Sequence, residues 1–186
     1  MSASRVLFLD FDGVLHPAKD SVHLPTAPMP AWQIQIALQA QGRFVWSSRL
    51  EDVLIDASED LRIVIHSTWR RRFSDSELVQ FLPRSLGQRV IRMDGQIASR
   101  HAGASDDYVA DVIDLLCPKS ALVIDDRSEF FPPDGRAQER LKAIDDGRFL
   151  VVDPDLGISD ESVLGAISRW AGGGHVPEIQ RSPCFA

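Results

Sequence analysis

The sequence has few cysteines, no long apolar run and no excess of positive charge. Its only two cysteines, Cys117 and Cys184, have no metal-ligand spacing, so we expect reduced structural thiols. No apolar run is long enough to cross a bilayer, and the first residues do not read as a signal peptide, which predicts a cytoplasmic protein. The net charge of −7 argues against broad binding of nucleic acid or anionic membrane, but it leaves room for a local basic patch.

The composition that remains is that of an ordinary globular chain. Apolar residues make up 44% and charged residues 25% of the 186 residues, and there is no internal repeat. This length is most simply one domain with a sizeable core. We predict a single domain over residues 1–172, with an insert at about 17–48. Glycines at 172–174 end its last helix, and residues 173–186 are expected to be a loosely ordered tail.

Short apolar runs alternate with amphipathic segments along the chain. The apolar runs predict buried strands, at residues 5–9, 61–66, 89–93, 121–124 and 149–152. Helical spacing of apolar residues predicts helices between them, chiefly at 50–57, 108–116 and 161–170. Strand and helix alternate throughout. The pattern therefore predicts an α/β fold with a doubly wound, mostly parallel, five-stranded sheet.

The insert after the first strand gives a less uniform pattern. Apolar and polar residues alternate over 32–39, which favours a half-buried strand. Gln41 and Gly42 can turn the chain so that residues 43–46 return as its partner, giving a small hairpin. A helix is the alternative, because alanine, glutamine and leucine are good helix formers. Ser48 and Glu51 have the spacing of a capping box for the helix that follows.

Polar side chains follow four of the predicted strands, where each strand ends. They are Asp10 and Asp12, then Ser67 and Thr68, then Arg100 and His101 in the loop after the third strand, then Asp125 and Asp126. Parallel strands bring these ends to one edge of the sheet, where ligands bind in such folds. Carboxylates from two strands suit a hard cation such as Mg²⁺, and a hydroxyl and a guanidinium suit phosphate oxygens. Together they are typical of phosphoryl transfer.

These residues match a known family. Three runs carry the match: Asp10-Phe11-Asp12-Gly13-Val14, Ile63-Val64-Ile65-His66-Ser67 and Leu122-Val123-Ile124-Asp125-Asp126. With a basic residue before a helix, they resemble the four motifs of the haloacid dehalogenase (HAD) superfamily of phosphohydrolases, over roughly residues 5–171. The resemblance implies a HAD-like Rossmannoid fold. The run Ser67-Thr68-Trp69-Arg70 and the short inserts, too small for a full cap domain, are similar to HAD domains associated with RNA-repair proteins.

The resemblance implies a Mg²⁺-dependent phosphatase with an aspartyl-phosphate intermediate. Asp10 would be the nucleophile, and Asp12 would protonate the leaving oxygen and then deprotonate water. Mg²⁺ would be held by Asp10, by the backbone carbonyl of Asp12 and by Asp125. Asp126 would bind the metal through water or orient a neighbour. Ser67 would donate to a phosphoryl oxygen, with Thr68 as the second candidate.

The basic residue of the third motif departs from the family's usual lysine. Lys119 is the only lysine nearby, but it precedes Asp125 by six positions. At about 3.3 Å per residue it would lie at the wrong end of the sheet. Arg100 follows the third predicted strand and is our candidate for phosphate binding, with His101 or Arg70 as substitutes. His16 and His66 are expected to be packing or flap residues.

An uncapped site would be open to large substrates. A phosphoprotein or a nucleic-acid end would fit, and the basic cluster at Arg70 favours the latter, whereas the net charge of −7 does not. One alternative function is a catalytically silent HAD fold that binds phosphate groups or a partner. A signalling receiver domain would carry its phosphorylated aspartate at the end of the third strand. It is disfavoured, because Asp94 after the third predicted strand is interpreted as forming a turn with Gly95.

Overall fold

Four parallel strands form the centre of the fold. The computed structural model describes residues 4–18, 30–93 and 105–174. Its strands are β1 (Arg5–Leu9), β2 (Leu61–Ile65), β3 (Ser120–Asp125) and β4 (Asp146–Val151). Their order across the sheet is β2-β1-β3-β4, and each neighbouring pair is parallel. The predicted α/β class and parallel sheet are therefore confirmed.

The apolar sequence of β1 reflects a strand that is covered on both faces. Leu7 and Leu9 pack into one hydrophobic cluster, whereas Val6 and Phe8 pack into a second cluster on the opposite face. Successive strand residues point to opposite faces, so only a strand with helices on both sides needs an unbroken apolar run.

Helices cover both faces of the sheet. Those of the described residues are α1 (Ala31–Ala40), α2 (Ser47–Leu54), α3 (Asp75–Leu78), α4 (Arg84–Arg89), α5 (Asp106–Leu116), α6 (Arg136–Lys142) and α7 (Glu161–Ala171). The cluster around Leu7 takes core residues from α2, α4 and α7, and the cluster around Phe8 takes them from α5 and α6. None of the helices in these ranges is long and apolar enough to cross a membrane.

The predicted hairpin in the insert is wrong. Residues 31–40 form α1, and residues 41–46 are turns rather than a returning strand. Of the alternating apolar residues, Leu38 is buried but Ile36 is 58% exposed, so the alternation does not mark a buried strand face. The helical preference of alanine, glutamine and leucine decided the structure of this segment.

The predicted capping box of Ser48 and Glu51 does not form. Helix α2 begins at Ser47 without a side-chain cap, and Glu51 instead accepts a hydrogen bond from the Ser85 hydroxyl on α4. Glu51 therefore links two helices and does not cap its own. Most of the predicted tail, residues 175–186, lies outside the described residues.

The predicted third strand is reduced to a single bridge. Helix α4 extends to Arg89, and within the described residues only Val90 pairs with β2, opposite Ile63. The Arg89 guanidinium donates to the carbonyls of Ala57 and Ser58, which holds the end of α4 beside the start of β2. Few residues are left for a strand before Met93, where the described segment ends. Five strands are therefore not confirmed.

The sheet order creates a crevice at one edge. From β1 the chain moves to β2 on one side and then crosses to β3 and β4 on the other. Ligands bind at such a switch point, beyond the carboxyl ends of the strands. Leu9 is level with Ile65 of β2 and with Ile124 of β3, so Asp10, His66 and Asp125 follow at the same height.

Candidate active site

Three carboxylates converge at the carboxyl ends of β1 and β3. Asp10, Asp125 and Asp126 each place a carboxylate oxygen within 4.8 Å of the others. The register explains the approach, since the residues before Asp10 and Asp125 are paired neighbours. The Asp10 residue is only 6% exposed and Asp125 is fully buried. The structure thus brings together three of the predicted site residues.

This cluster is electrostatically costly without a cation. One oxygen of each carboxylate is buried and has no hydrogen-bond partner in the part of the chain that the structure describes. Burial, reinforced by the neighbouring Asp125 carboxylate, raises the pKa of Asp10 well above its usual value. Burial likewise raises the pKa of Asp125 to about 7. Burial also raises the pKa of Asp126.

Asp12 lies in a different environment, although it is two residues from Asp10. Its Oδ1 accepts a hydrogen bond from His16 Nε2 at 2.9 Å, and its Oδ2 accepts one from Trp69 Nε1 at 2.8 Å. Burial acts to raise the pKa of Asp12, but these two hydrogen bonds outweigh it and lower the pKa below its usual value. The two aspartates of the first motif therefore differ in environment, which shifts their pKa values in opposite directions.

The orientation of His16 is fixed by the backbone of the insert. Its Nδ1 accepts a hydrogen bond from the Phe44 N–H at 3.3 Å, so the ring proton sits on Nε2 and points at Asp12. The ring is fully buried and contacts Phe44 and Trp69 edge to face. Phe44 itself has a left-handed backbone with φ of 59°. A strained turn in the insert thus supports the Asp12 contact.

The end of β2 supplies the predicted hydroxyl beside Asp10. Ser67 is fully buried, and its side chain acts to lower the pKa of the neighbouring Asp10 carboxyl. Its hydroxyl oxygen accepts from the Trp69 N–H at 3.4 Å and begins the short 3-10 helix Thr68–Arg71. Thr68 is half-buried at the first position of that helix. Ser67 therefore caps this helix, and its binding of a phosphoryl oxygen stays a prediction.

Arg70 is placed away from solvent rather than on an open phosphate-binding face. Its Nε donates to Asp75 Oδ1 at 3.1 Å, and its guanidinium carbon lies 4.1 Å from the centre of the Tyr108 ring. The side chain is only 5% exposed. Phosphate binding by Arg70 stays a prediction. Arg100 and His101 lie outside the described residues.

His66 is buried beside the carboxylate cluster. Its Nε2 donates to the Ile124 carbonyl at 3.2 Å, which leaves Nδ1 facing Asp125 Oδ2 at 3.6 Å. Burial lowers the pKa of His66 to about 4, so the ring is neutral near pH 7. It packs between Phe8 and Phe131. The predicted packing role agrees with this position.

Comparison with known proteins gives one match. The model of the family described as the HAD domain in Swiss Army Knife RNA repair proteins matches residues 6–163, which is most of the chain. The chain belongs to this family. No curated protein and no solved structure matches it. Membership of a HAD family points to a phosphohydrolase-type function, and the matched range contains all of the aspartates described above.

The carboxylates of this HAD domain fit a divalent cation. Mg²⁺ prefers oxygen ligands and is commonly bound by one or two carboxylates together with water and phosphate. Asp10, Asp125 and Asp126 offer unpartnered buried oxygens of the kind that such an ion would satisfy. The Asp12 side chain belongs to no such group among the described residues, because both of its oxygens face His16 and Trp69. Only its backbone carbonyl remains a candidate ligand.

Two residues at the site were not predicted from the sequence of this HAD domain. His16 was expected to be a packing or flap residue, and Trp69 was given no role. The signal for His16 was its position four residues after Asp12 across the Gly13 turn. Trp69 carried no comparable signal, because its indole reaches Asp12 only through the packing of β1 against β2.

Gly13 allows the turn and the close approach of Asp126. It has φ of +70°, and a Cβ at this position would overlap the Asp126 carboxylate. We expect Gly13→Ala to cost about 1 kcal/mol in backbone strain and, in addition, to displace Asp126 from the metal-binding group. Phosphatase activity and the Mg²⁺-induced rise in Tm should both fall severalfold.

Gly42→Ala is a matched control for this prediction. Gly42 has nearly the same φ of +71°, but a Cβ there would contact nothing within 4 Å. The two substitutions therefore carry similar backbone strain, but only Gly13→Ala brings a Cβ against the Asp126 carboxylate. Equal losses of activity in both variants would show that strain alone, and not the position of Asp126, is responsible.

Proposed function

We propose that this HAD domain is a Mg²⁺-dependent phosphomonoester hydrolase that works through an aspartyl-phosphate on Asp10. The observation that carries the proposal is the division of the two motif aspartates between two environments. Asp10 is grouped with Asp125 and Asp126, whereas Asp12 is held apart by His16 and Trp69. One carboxylate is thus placed for attack and the other for proton transfer.

In the first half-reaction, a carboxylate oxygen of Asp10 attacks phosphorus and the bond to the leaving oxygen breaks. The bound cation would keep the clustered carboxylates ionised and reduce the repulsion between Asp10 and the anionic phosphate. Ser67, buried beside Asp10, would donate to a phosphoryl oxygen. Asp12 gives its proton to the leaving oxygen.

In the second half-reaction, water attacks the phosphorus of the acyl phosphate. Asp12 accepts a proton from that water, and phosphate leaves while the Asp10 carboxylate is regenerated. The hydrogen bonds from His16 and Trp69 favour the ionised carboxylate, which is the form that this half-reaction needs. They hold the ionised Asp12 in place from the departure of the leaving group until the attack of water, and the proton then taken from water serves the next turnover.

The substrate is proposed to carry an exposed phosphate, with a nucleic-acid end as the favoured class. The family description, which names RNA-repair proteins, supports this class. The short inserts support an open site, since they are too small for a full cap domain.

A panel of phosphomonoesters with Mg²⁺ tests the activity. It should contain p-nitrophenyl phosphate, nucleotides, sugar phosphates, phosphopeptides and oligonucleotides with a 5′ or a 3′ phosphate. We expect Mg²⁺-dependent phosphate release, fastest on an oligonucleotide end. Binding of Mg²⁺ without turnover of any compound would instead support the catalytically silent alternative.

Stability should depend on pH and on Mg²⁺ through Asp125. Its pKa is raised in the folded protein, so the folded state binds more protons than the unfolded state from about pH 4 to pH 7. The free energy of unfolding without metal should therefore fall as pH rises through this range. Saturating Mg²⁺ should raise Tm by about 5–10 °C at pH 7.5 and by less at pH 5. Thermal unfolding with and without Mg²⁺ measures both effects.

Asp125→Asn should weaken both effects, because asparagine neither titrates nor supplies a charge to the ion, while Asp10 and Asp126 remain. Asp52→Asn, on the exposed side of α2, is the matched control and should behave like the unchanged protein. If the Mg²⁺-induced rise in Tm is as large in Asp125→Asn as in the unchanged protein, the ion does not bind at Asp125.

A further inference from the structure

The positive charge of this acidic chain is concentrated in one segment. Residues 70–92 contain six arginines and only two carboxylates, in a chain whose net charge is −7. Both carboxylates are used locally: buried Asp75 accepts hydrogen bonds from Arg70 and from the Met93 N–H, and Glu77 caps α3 at Ser74. Neither carboxylate forms a hydrogen bond or ion pair with Arg84 or Arg92.

Two of these arginines line a groove. The groove has a volume of about 840 Å³ and lies between α1 and the segment from Val79 to Arg92. Arg84 and Arg92 are exposed, and no described residue forms a hydrogen bond or ion pair with either guanidinium. By contrast, Arg70 and Arg89 are engaged in internal contacts. The guanidinium groups of Arg84 and Arg92 therefore differ from those of Arg70 and Arg89, which contact other parts of the fold.

Among the described residues, the rest of the lining contains amides and apolar side chains but no carboxylate. Gln35, Gln80 and Gln88 supply amide groups, which can both donate and accept hydrogen bonds. Val79 and Leu82 contribute apolar surface. A polymer with repeated anionic groups, hydrogen-bonding edges and flat apolar faces matches this lining, and single-stranded nucleic acid has these features.

The groove leads towards the carboxylate cluster. The bridge from Val90 to Ile63 is parallel, so residues 90–93 run towards the edge of the sheet that holds Asp10. Next to Arg92, the Met93 N–H donates to Asp75, which also binds Arg70 in the helix that follows Ser67. A nucleic-acid strand whose terminal phosphate lies at Asp10 would therefore approach the groove from this edge of the sheet.

We infer that the Arg84–Arg92 groove binds the phosphodiester backbone of a single-stranded nucleic acid whose phosphorylated end lies at Asp10. The inference rests on the proposed function for the position of the end, and on the groove alone for the binding of the strand. RNA and DNA share the backbone chemistry that the arginines would recognise. An acidic peptide is the competing occupant, with charge but without bases.

The test compares an Arg84→Gln/Arg92→Gln double variant with Arg169→Gln. Arg169 is exposed on α7, and its carbonyl accepts the Gly174 N–H near the opposite edge of the sheet. We expect the double variant to raise KM for a phosphorylated 8-nucleotide strand about tenfold more than KM for p-nitrophenyl phosphate. Arg169→Gln should leave this ratio unchanged. KM is measured for RNA and for DNA strands in parallel, to distinguish the two kinds of nucleic acid.

Binding of an 8-nucleotide strand without a terminal phosphate separates this inference from the proposed function. Fluorescence anisotropy should show weaker binding in the double variant, with the salt dependence of log Kd reduced by about 1.4 for two lost phosphate contacts. If the protein hydrolyses none of the phosphomonoesters but binds the strand in this way, strand binding by the groove is supported and the proposed phosphatase activity is contradicted. Equal binding by both proteins, or equal competition by polyglutamate, would overturn the inference.

Discussion

Replacing Asp10 by asparagine is expected to lower phosphate release by at least about 10⁴-fold. The amide oxygen of asparagine is a poor nucleophile, and no other described carboxylate has both the position beside Ser67 and the place at the end of β1. The substitution also removes a charge from a buried cluster, in which burial raises the pKa of Asp10. Tm without Mg²⁺ should therefore be unchanged or higher, which separates lost chemistry from lost folding.

The aspartyl-phosphate offers a second measurement on Asp10. Brief reaction with a ³²P-labelled substrate followed by acid quench should leave label on the protein, and hydroxylamine should release it, as for any acyl phosphate. Asp10→Asn should carry no label. Label that persists in this variant, or turnover within tenfold of the unchanged protein, would contradict nucleophilic catalysis by Asp10.

Replacing Asp12 by asparagine is expected to lower turnover of alkyl phosphates by about 10²–10⁴-fold. The loss should be smaller for p-nitrophenyl phosphate, because that leaving group departs without needing a proton. Asparagine keeps the size of the side chain and can still accept from His16 Nε2. The expected result is thus a loss that depends on the leaving group, measured as kcat on both substrates.

Asp52→Asn again serves as the control, and it should leave the ratio of the two rates unchanged. His16→Asn extends the comparison, because it removes the group that holds Asp12 Oδ1 without removing the proton carrier. Its loss should have the same leaving-group dependence with a smaller size. Equal losses on both substrates in Asp12→Asn would indicate that Asp12 supports the fold and does not transfer a proton.

The strand ends of the site were predictable because they depend on short-range rules. The apolar runs before Asp10 and Asp125 have few alternatives to buried parallel strands, and parallel strands share one ligand-binding edge. The positions of Asp10, Asp125 and Ser67 therefore follow from the sequence. How the Asp12 side chain is oriented does not, because it depends on His16 and Trp69 reaching it from separate segments.

The elements that were wrongly predicted had competing signals of similar strength. The 32–39 segment combined strand-like alternation with helix-forming residues, and its alternate apolar positions do not all face the core, since Ile36 is exposed. The predicted third strand depended on the end of α4, which is set by the hydrogen bonds from Arg89 to Ala57 and Ser58. Such tertiary contacts override local preference and cannot be read from a window of sequence.

The large sequence separation between Asp10 and Asp125 has a consequence for the unfolding of the protein. An ion held between the ends of β1 and β3 joins strands that belong to opposite halves of the sequence, much as a reversible crosslink would. Any unfolding event that separates these strands must first release the ion. Mg²⁺ should therefore act mainly by slowing unfolding. The carboxylates that destabilise the metal-free sheet would then stabilise it when the ion is bound.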